Sequence, residues 1–194
     1  LAFRTATVLL AFIGAIGASA QSSIWQNVPT NLDRSGSTPA TLTPRQMTAV
    51  RAALAARSSH PGVWECDDGS WLEDLQFSRV SVAPYAVFLV EAGSGCARSG
   101  QGANGAMWLV AFNGTHAHVI ASPDIGLNGW LYSVVPQSHH GLHDIVLGWH
   151  MSAFEAGLIY FEFNGVSYKA VSSATLKSED SGNGKIIPSP RPSK

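Results

Sequence analysis

His116 and His118 stand two residues apart in Thr115-His-Ala-His-Val-Ile120, a run whose residue types suit a β-strand. Alternation along a strand puts both imidazoles on one face, about 6.6 Å apart at roughly 3.3 Å per residue. Two histidines so placed are half of a metal site, and His139, His140 and His143 could supply the rest of a zinc site. No spacing forces the two groups together, so the same residues also read as the polar face of a strand. His143 and Asp144 suggest a relay, but neighbours in a strand point to opposite faces and cannot pair as base and orienting carboxylate do. Asp144 is therefore expected to satisfy backbone donors or to face water. There is no G-x-S-x-G elbow, and the glycine-rich stretch 93–105 lacks the spacing of a phosphate-binding loop. These patterns name no catalytic residue and require no cofactor, zinc being the alternative.

Other residues suit binding rather than reaction. Trp130 and Trp149 could stack on a sugar or a peptide, although aromatic residues in a β protein also serve the core. Trp149 opens Trp-His-Met-Ser152-Ala-Phe-Glu155-Ala-Gly157, in which Ser152 and Glu155 have capping-box spacing. A single helical turn is expected there, carrying Trp149, Met151 and Phe154 over a sheet edge or into a cleft. Leu109 shares one strand face with Met107 and Ala111, and by the hairpin register below with His116, His118 and Ile120. That face is either an exposed interaction patch with His118 at its rim or a surface covered by a helix. Glu65, Asp67, Asp68, Glu73 and Asp74 do not match the alternating ligands of a calcium loop and read as a solvated segment.

The elements that must position these residues are mostly strands. Asn113-Gly114 and Asn164-Gly165, set 51 residues apart, each lie between two apolar runs and predict two-residue hairpin turns. In the second hairpin this register opposes Phe163 to Val166, Phe161 to Tyr168 and Ile159 to Ala170 on a core face, leaving Tyr160 and Glu162 on a mostly solvated one. An apolar run precedes each hairpin, at residues 85–90 and 142–147, so the chain predicts two similar three-stranded units in one sheet or sandwich. A further strand starts at Trp130 and ends at Pro136. One helix is expected from Thr43, which can cap, with Pro44 in the first turn and Gln46 reaching back. Met47, Val50 and Leu54 give it a narrow apolar stripe. The fold class is α+β: one N-terminal helix on a mainly antiparallel sheet or sandwich.

Along the chain, residues 1–20 read as a secretory signal peptide, with Arg4, an apolar run and Ala18-Ser-Ala20 as a cleavage site. Residues 21–42 read as a linker, with Ile24, Trp25 and Val28 able to dock; 43–171 form a single β-rich domain and 172–194 a disordered tail. Export places Cys66 and Cys96 in an oxidising compartment, so a disulfide is the first reading and two buried thiols the second. Such a bond would contribute about 3–4 kcal/mol in the chain-entropy model. With 12 basic and 13 acidic residues and 13% charged residues overall, nothing favours nucleic acid or an anionic membrane surface.

Gly141-Leu-His-Asp144-Ile, followed by Leu158-Ile-Tyr-Phe-Glu-Phe163-Asn-Gly165-Val-Ser-Tyr168, resembles a C-terminal signature, G-x-x-D-I…Y-x-F-x-G-x-x-Y, of uncharacterised exported bacterial proteins. The resemblance implies export and a β-rich fold and transfers no catalytic residue. Trp64-Glu-Cys66-Asp-Asp-Gly69 is similar to the opening of periplasmic inhibitors of C-type lysozyme. Their Ser-Gly loop ends in an aromatic residue, whereas here Ser99-Gly100 is followed by Gln101-Gly102. The expected function is that of a periplasmic or secreted non-enzymatic binding protein for another macromolecule or a cell-wall glycan, with no stable membrane insertion after signal cleavage. The alternatives are a lysozyme-inhibitor-like protein and a metal-dependent enzyme using the histidines.

Overall fold

The computed structural model describes residues 24–32, 34, 36–56, 70–83, 85–93, 104–178 and 184–190. The expected signal peptide, Cys66, Cys96, and the Trp64 and Ser99-Gly100 motifs lie outside the described residues. The strands are β1 (Ser37–Pro39), β2 (Leu75–Val80), β3 (Val87–Ala92), β4 (Gly105–Asn113), β5 (His116–Ala121), β6 (Asn128–Gly129), β7 (Leu131–His139), β8 (Leu142–His150), β9 (Glu155–Phe163), β10 (Tyr168–Ser178) and β11 (Gly184–Pro188). They form two antiparallel sheets. The first runs β1-β2-β3-β4-β5 with β6 also pairing β4, and the second runs β11-β10-β9-β8-β7. The predicted units β3-β4-β5 and β8-β9-β10 are thus two meanders, one in each sheet. Among the described residues no helix is long and apolar enough to cross a membrane.

The α-helix α1 (Pro44–Ala55), the only one among the described residues, begins as its sequence requires. Thr43 Oγ1 accepts from the Gln46 amide at 3.3 Å and Gln46 Oε1 accepts from the Thr43 amide at 3.0 Å. Val50 and Leu54 are buried against Trp108, Val110 and Val119, where Trp71 stacks on Trp108 with centroids 5.1 Å apart. On the other face of β4, Met107, Leu109 and Ala111 pack between the sheets with Val87, Leu89, Ile145, Leu147 and Phe161. β4 is therefore covered on both sides, which explains its unbroken apolar run. The face holding Leu109 is neither an exposed patch nor the helix's seat; the second sheet occupies it. Between the sheets lies an apolar void of about 10 Å³, too small for a ligand.

Both predicted hairpins form, but with other registers. Asn113 pairs with His116, so the loop is Gly114-Thr115, with Gly114 at φ +60°. A positive φ at the first loop position alone suits a type II′ turn, and each β5 residue opposes a β4 residue two positions from the expected one, so His116 and His118 stay on the Ala111 face and Ala117 and Val119 on the Trp108 face. In the second hairpin Phe163 pairs with Tyr168 across a four-residue loop. Asn164 Oδ1 closes that loop by accepting from the amides of Val166 and Ser167 at 3.0 and 2.9 Å, leaving Val166 80% exposed. This slip is two residues, so Phe161, Phe163 and Tyr168 keep their expected core face.

Three further expectations are corrected. Pro136 does not end its strand: β7 is an edge strand, where a missing N–H is tolerated, and Pro136 sits in an irregularity between Val134 and Ser138. Residues 151–154 form a hairpin connection rather than a helical turn, with Glu155 O accepting from the amides of Met151 and Ser152 at 3.2 and 3.0 Å. The expected disordered tail holds the end of β10 and all of β11, because Ala174 and Leu176 alternate onto a buried face that composition alone conceals. That face is the outside of the second sheet, and the expected linker covers it: Trp25, Val28 and Leu32 pack on Val146, Leu158 and Tyr160.

Candidate functional site

The residues with the richest chemistry meet at one end of the second sheet. His139 and Leu142 are the last pair of the β7–β8 hairpin, whose loop is His140-Gly141 with φ of +49° and +84°. Two positive φ values are those of a type I′ turn, which brings β7 tightly back along β8. Across from Asp144 the register jumps, Val134 pairing with Ile145 and Ser138 with His143. The Asp144 carboxylate is fully buried, and His139 Nδ1 lies 2.8 Å from its Oδ1 and 3.0 Å from its Oδ2. Tyr160, on β9, donates its hydroxyl to Asp144 Oδ2 at 3.0 Å. Glu162, two residues further along β9, brings a second carboxylate: donor atoms of His139, Asp144 and Glu162 all lie within 4.8 Å of one another.

The electrostatics follow from this enclosure. The hydrogen bond that His139 donates to Asp144 raises the imidazole pKa above its usual value against the opposing effect of burial, and the charges of Asp144 and Glu162 add to it. Burial and then the Asp144 charge drive the Tyr160 hydroxyl up, so it remains a donor; Tyr168 is raised by the same two causes in the same order. His139 and Asp144 have the geometry of a base and its orienting carboxylate, but the third group on the carboxylate is a phenol held protonated, not an activated nucleophile.

Raising the folded-state pKa of His139 makes its contribution to stability fully present below the unfolded value of about 6.5, and lost as pH rises through the higher folded value. His139→Gln is therefore expected to lower the urea midpoint at pH 5.5 and to do so much less at pH 9. The difference should be about 1 kcal/mol, below an enclosed charge-assisted bond because the ring is 45% exposed. An equal loss at both pH values would show that the pair is not ionic.

The structure separates the other predicted site residues. His116 and His118 are exposed on β5 of the first sheet, and among the described residues the only convergent donor group is that of His139, Asp144 and Glu162. His140 is exposed at its turn. His143 is a junction: its amide donates to Val82 O at 2.7 Å, its carbonyl accepts from the Tyr168 hydroxyl at 2.6 Å, and its Nδ1 faces the carbonyls of Pro136 and Gln137 at 3.2 and 3.3 Å. Asp144 neither caps backbone donors nor faces water. The missed signal was a lone carboxylate inside the apolar run Leu142-His-Asp-Ile-Val-Leu147, with Tyr160 and Glu162 at strand spacing on the next strand.

At the opposite end of β8 lies an aromatic rim. Trp130, 37% exposed, meets the His150 ring edge-on at 6.2 Å, and Met151 and Phe154 in the β8–β9 connection are 52% and 63% exposed. The backbone beneath is fixed. Asn104 Oδ1 accepts from the His150 amide at 2.8 Å while Asn104 Nδ2 donates to its carbonyl at 3.3 Å. Arg34 Nη2 donates to Trp130 O at 3.1 Å and is itself paired with Glu91 at 2.9 Å. Trp149 lies half-buried over Gly157, where a Cβ would overlap its indole. Leu109, proposed from sequence as a contact residue, is 1% exposed and belongs to the core.

The described residues form a mainly β fold of two antiparallel sheets and one α-helix, with a buried His–Asp–Tyr network and an exposed aromatic rim. Comparison with protein-family models, with curated proteins and with solved structures finds no match.

Proposed function

We propose that this is an exported binding protein that holds a cell-wall glycan on the rim formed by Trp130, His150, Met151 and Phe154. The observation carrying this reading is that Trp130, in contact with His150, and Met151 and Phe154 in the connection that follows His150 are all exposed at this end of β8, with hydrogen bonds to the backbone of Trp130 and His150. Exposed apolar patches mark interaction sites, and an indole face suits the C–H surface of a sugar. His150 adds ring nitrogens for hydroxyl groups. Export is supported by the signal-like residues 1–20 and by the resemblance to exported bacterial proteins. The resemblance to lysozyme inhibitors rests on residues outside the described ones and adds no geometry.

Sedimentation of the purified protein with insoluble peptidoglycan tests the reading. The protein should co-sediment, and Trp130→Ala and Phe154→Ala should each weaken binding about tenfold, the equivalent of about 1.4 kcal/mol of lost stacking and burial. Absence of binding, or binding indifferent to both substitutions, would exclude a glycan at this rim.

A further inference from the structure

We propose that His139, Asp144 and Glu162 form a three-ligand site for a divalent transition-metal ion, zinc being the ion their donors suit. The side chains come from the successive strands β7, β8 and β9, and their donor atoms already converge within 4.8 Å of one another. One imidazole nitrogen and two carboxylates leave the fourth position of a tetrahedral ion open to water. The imidazole favours zinc over magnesium or calcium, which prefer all-oxygen sites.

Two features beyond the donor set support the site. Asp144 is fully enclosed, yet its Oδ2 is oriented by the Tyr160 hydroxyl at 3.0 Å, the kind of outer hydrogen bond that fixes a ligating carboxylate. The formal charges also match, since two carboxylate ligands neutralise a doubly charged ion that a neutral imidazole completes. The His139 ring, 45% exposed, provides the way in from solvent. This site does not rest on the aromatic rim, since Asp144 lies about 20 Å from His150 along β8.

The test is calorimetric titration of zinc chloride into the purified, chelator-treated protein at one fixed pH. One zinc per chain should bind, unaffected by millimolar magnesium. Glu162→Gln should weaken it at least about tenfold, and Tyr160→Phe, which keeps all three ligands, about 10- to 100-fold. Circular dichroism confirms that each variant folds, and His139→Gln keeps the test standing if Glu162→Gln does not. A double His116→Ala, His118→Ala variant should bind zinc like the parent. Failure to bind zinc at one per chain, binding unchanged by Glu162→Gln and His139→Gln, or loss in the double variant would each overturn the proposal.

Discussion

Leu109→Lys is expected to cost about 4 kcal/mol or more, a large part of the stability of an ordinary domain. Leu109 is 1% exposed in the layer between the sheets, opposite Leu89 on β3 and beside Leu127, Tyr132, Ile145 and Leu147. Sheets packed about 10 Å apart leave a lysine head no route to water, so it must be buried neutral or must part the layers. Leu109→Ala removes the same side chain without adding charge and is expected to cost about 2–5 kcal/mol. Urea unfolding followed by tryptophan fluorescence measures both. A lysine variant with an unchanged midpoint would mean that the second sheet does not cover β4.

Trp25→Ala is expected to cost about 3 kcal/mol, as for a buried tryptophan truncated in a core. The indole is 4% exposed, meets Tyr160 edge-on at 5.7 Å, and donates from Nε1 to Ser172 Oγ at 3.1 Å. It shields the outer face of the second sheet, where Tyr160 holds Asp144. Trp25→Phe keeps most of the packing and loses the hydrogen bond, at about 1 kcal/mol. If the alanine variant unfolded like the parent, residues 24–32 would be a linker in fact as well as in composition.

Where an element depends on its own residues, it was legible. Thr43, Pro44 and Gln46 specify the start of α1 because capping is settled within one turn. The Asn-Gly pairs located two hairpins for the same reason. Their registers were not legible, since the choice between Asn113-Gly114 and Gly114-Thr115 as the loop is nearly neutral locally. Both loops put the same side chains on the same faces, so the facial pattern cannot choose between them; the observed ladder does.

Hydrophobic period and turn chemistry specify a mainly β architecture with a capped helix and two related meanders. That Leu109 is core, that Trp25 and β11 belong to the domain, and that His139, Tyr160 and Glu162 gather around Asp144 follows from packing between distant segments. The physical reason is that burial belongs to pairs of surfaces. An apolar strand face is exposed or enclosed according to what a distant segment lays over it. Asp144 is stable inside an apolar strand because a tight turn, a register jump and the neighbouring strand deliver an imidazole and a hydroxyl to the same point.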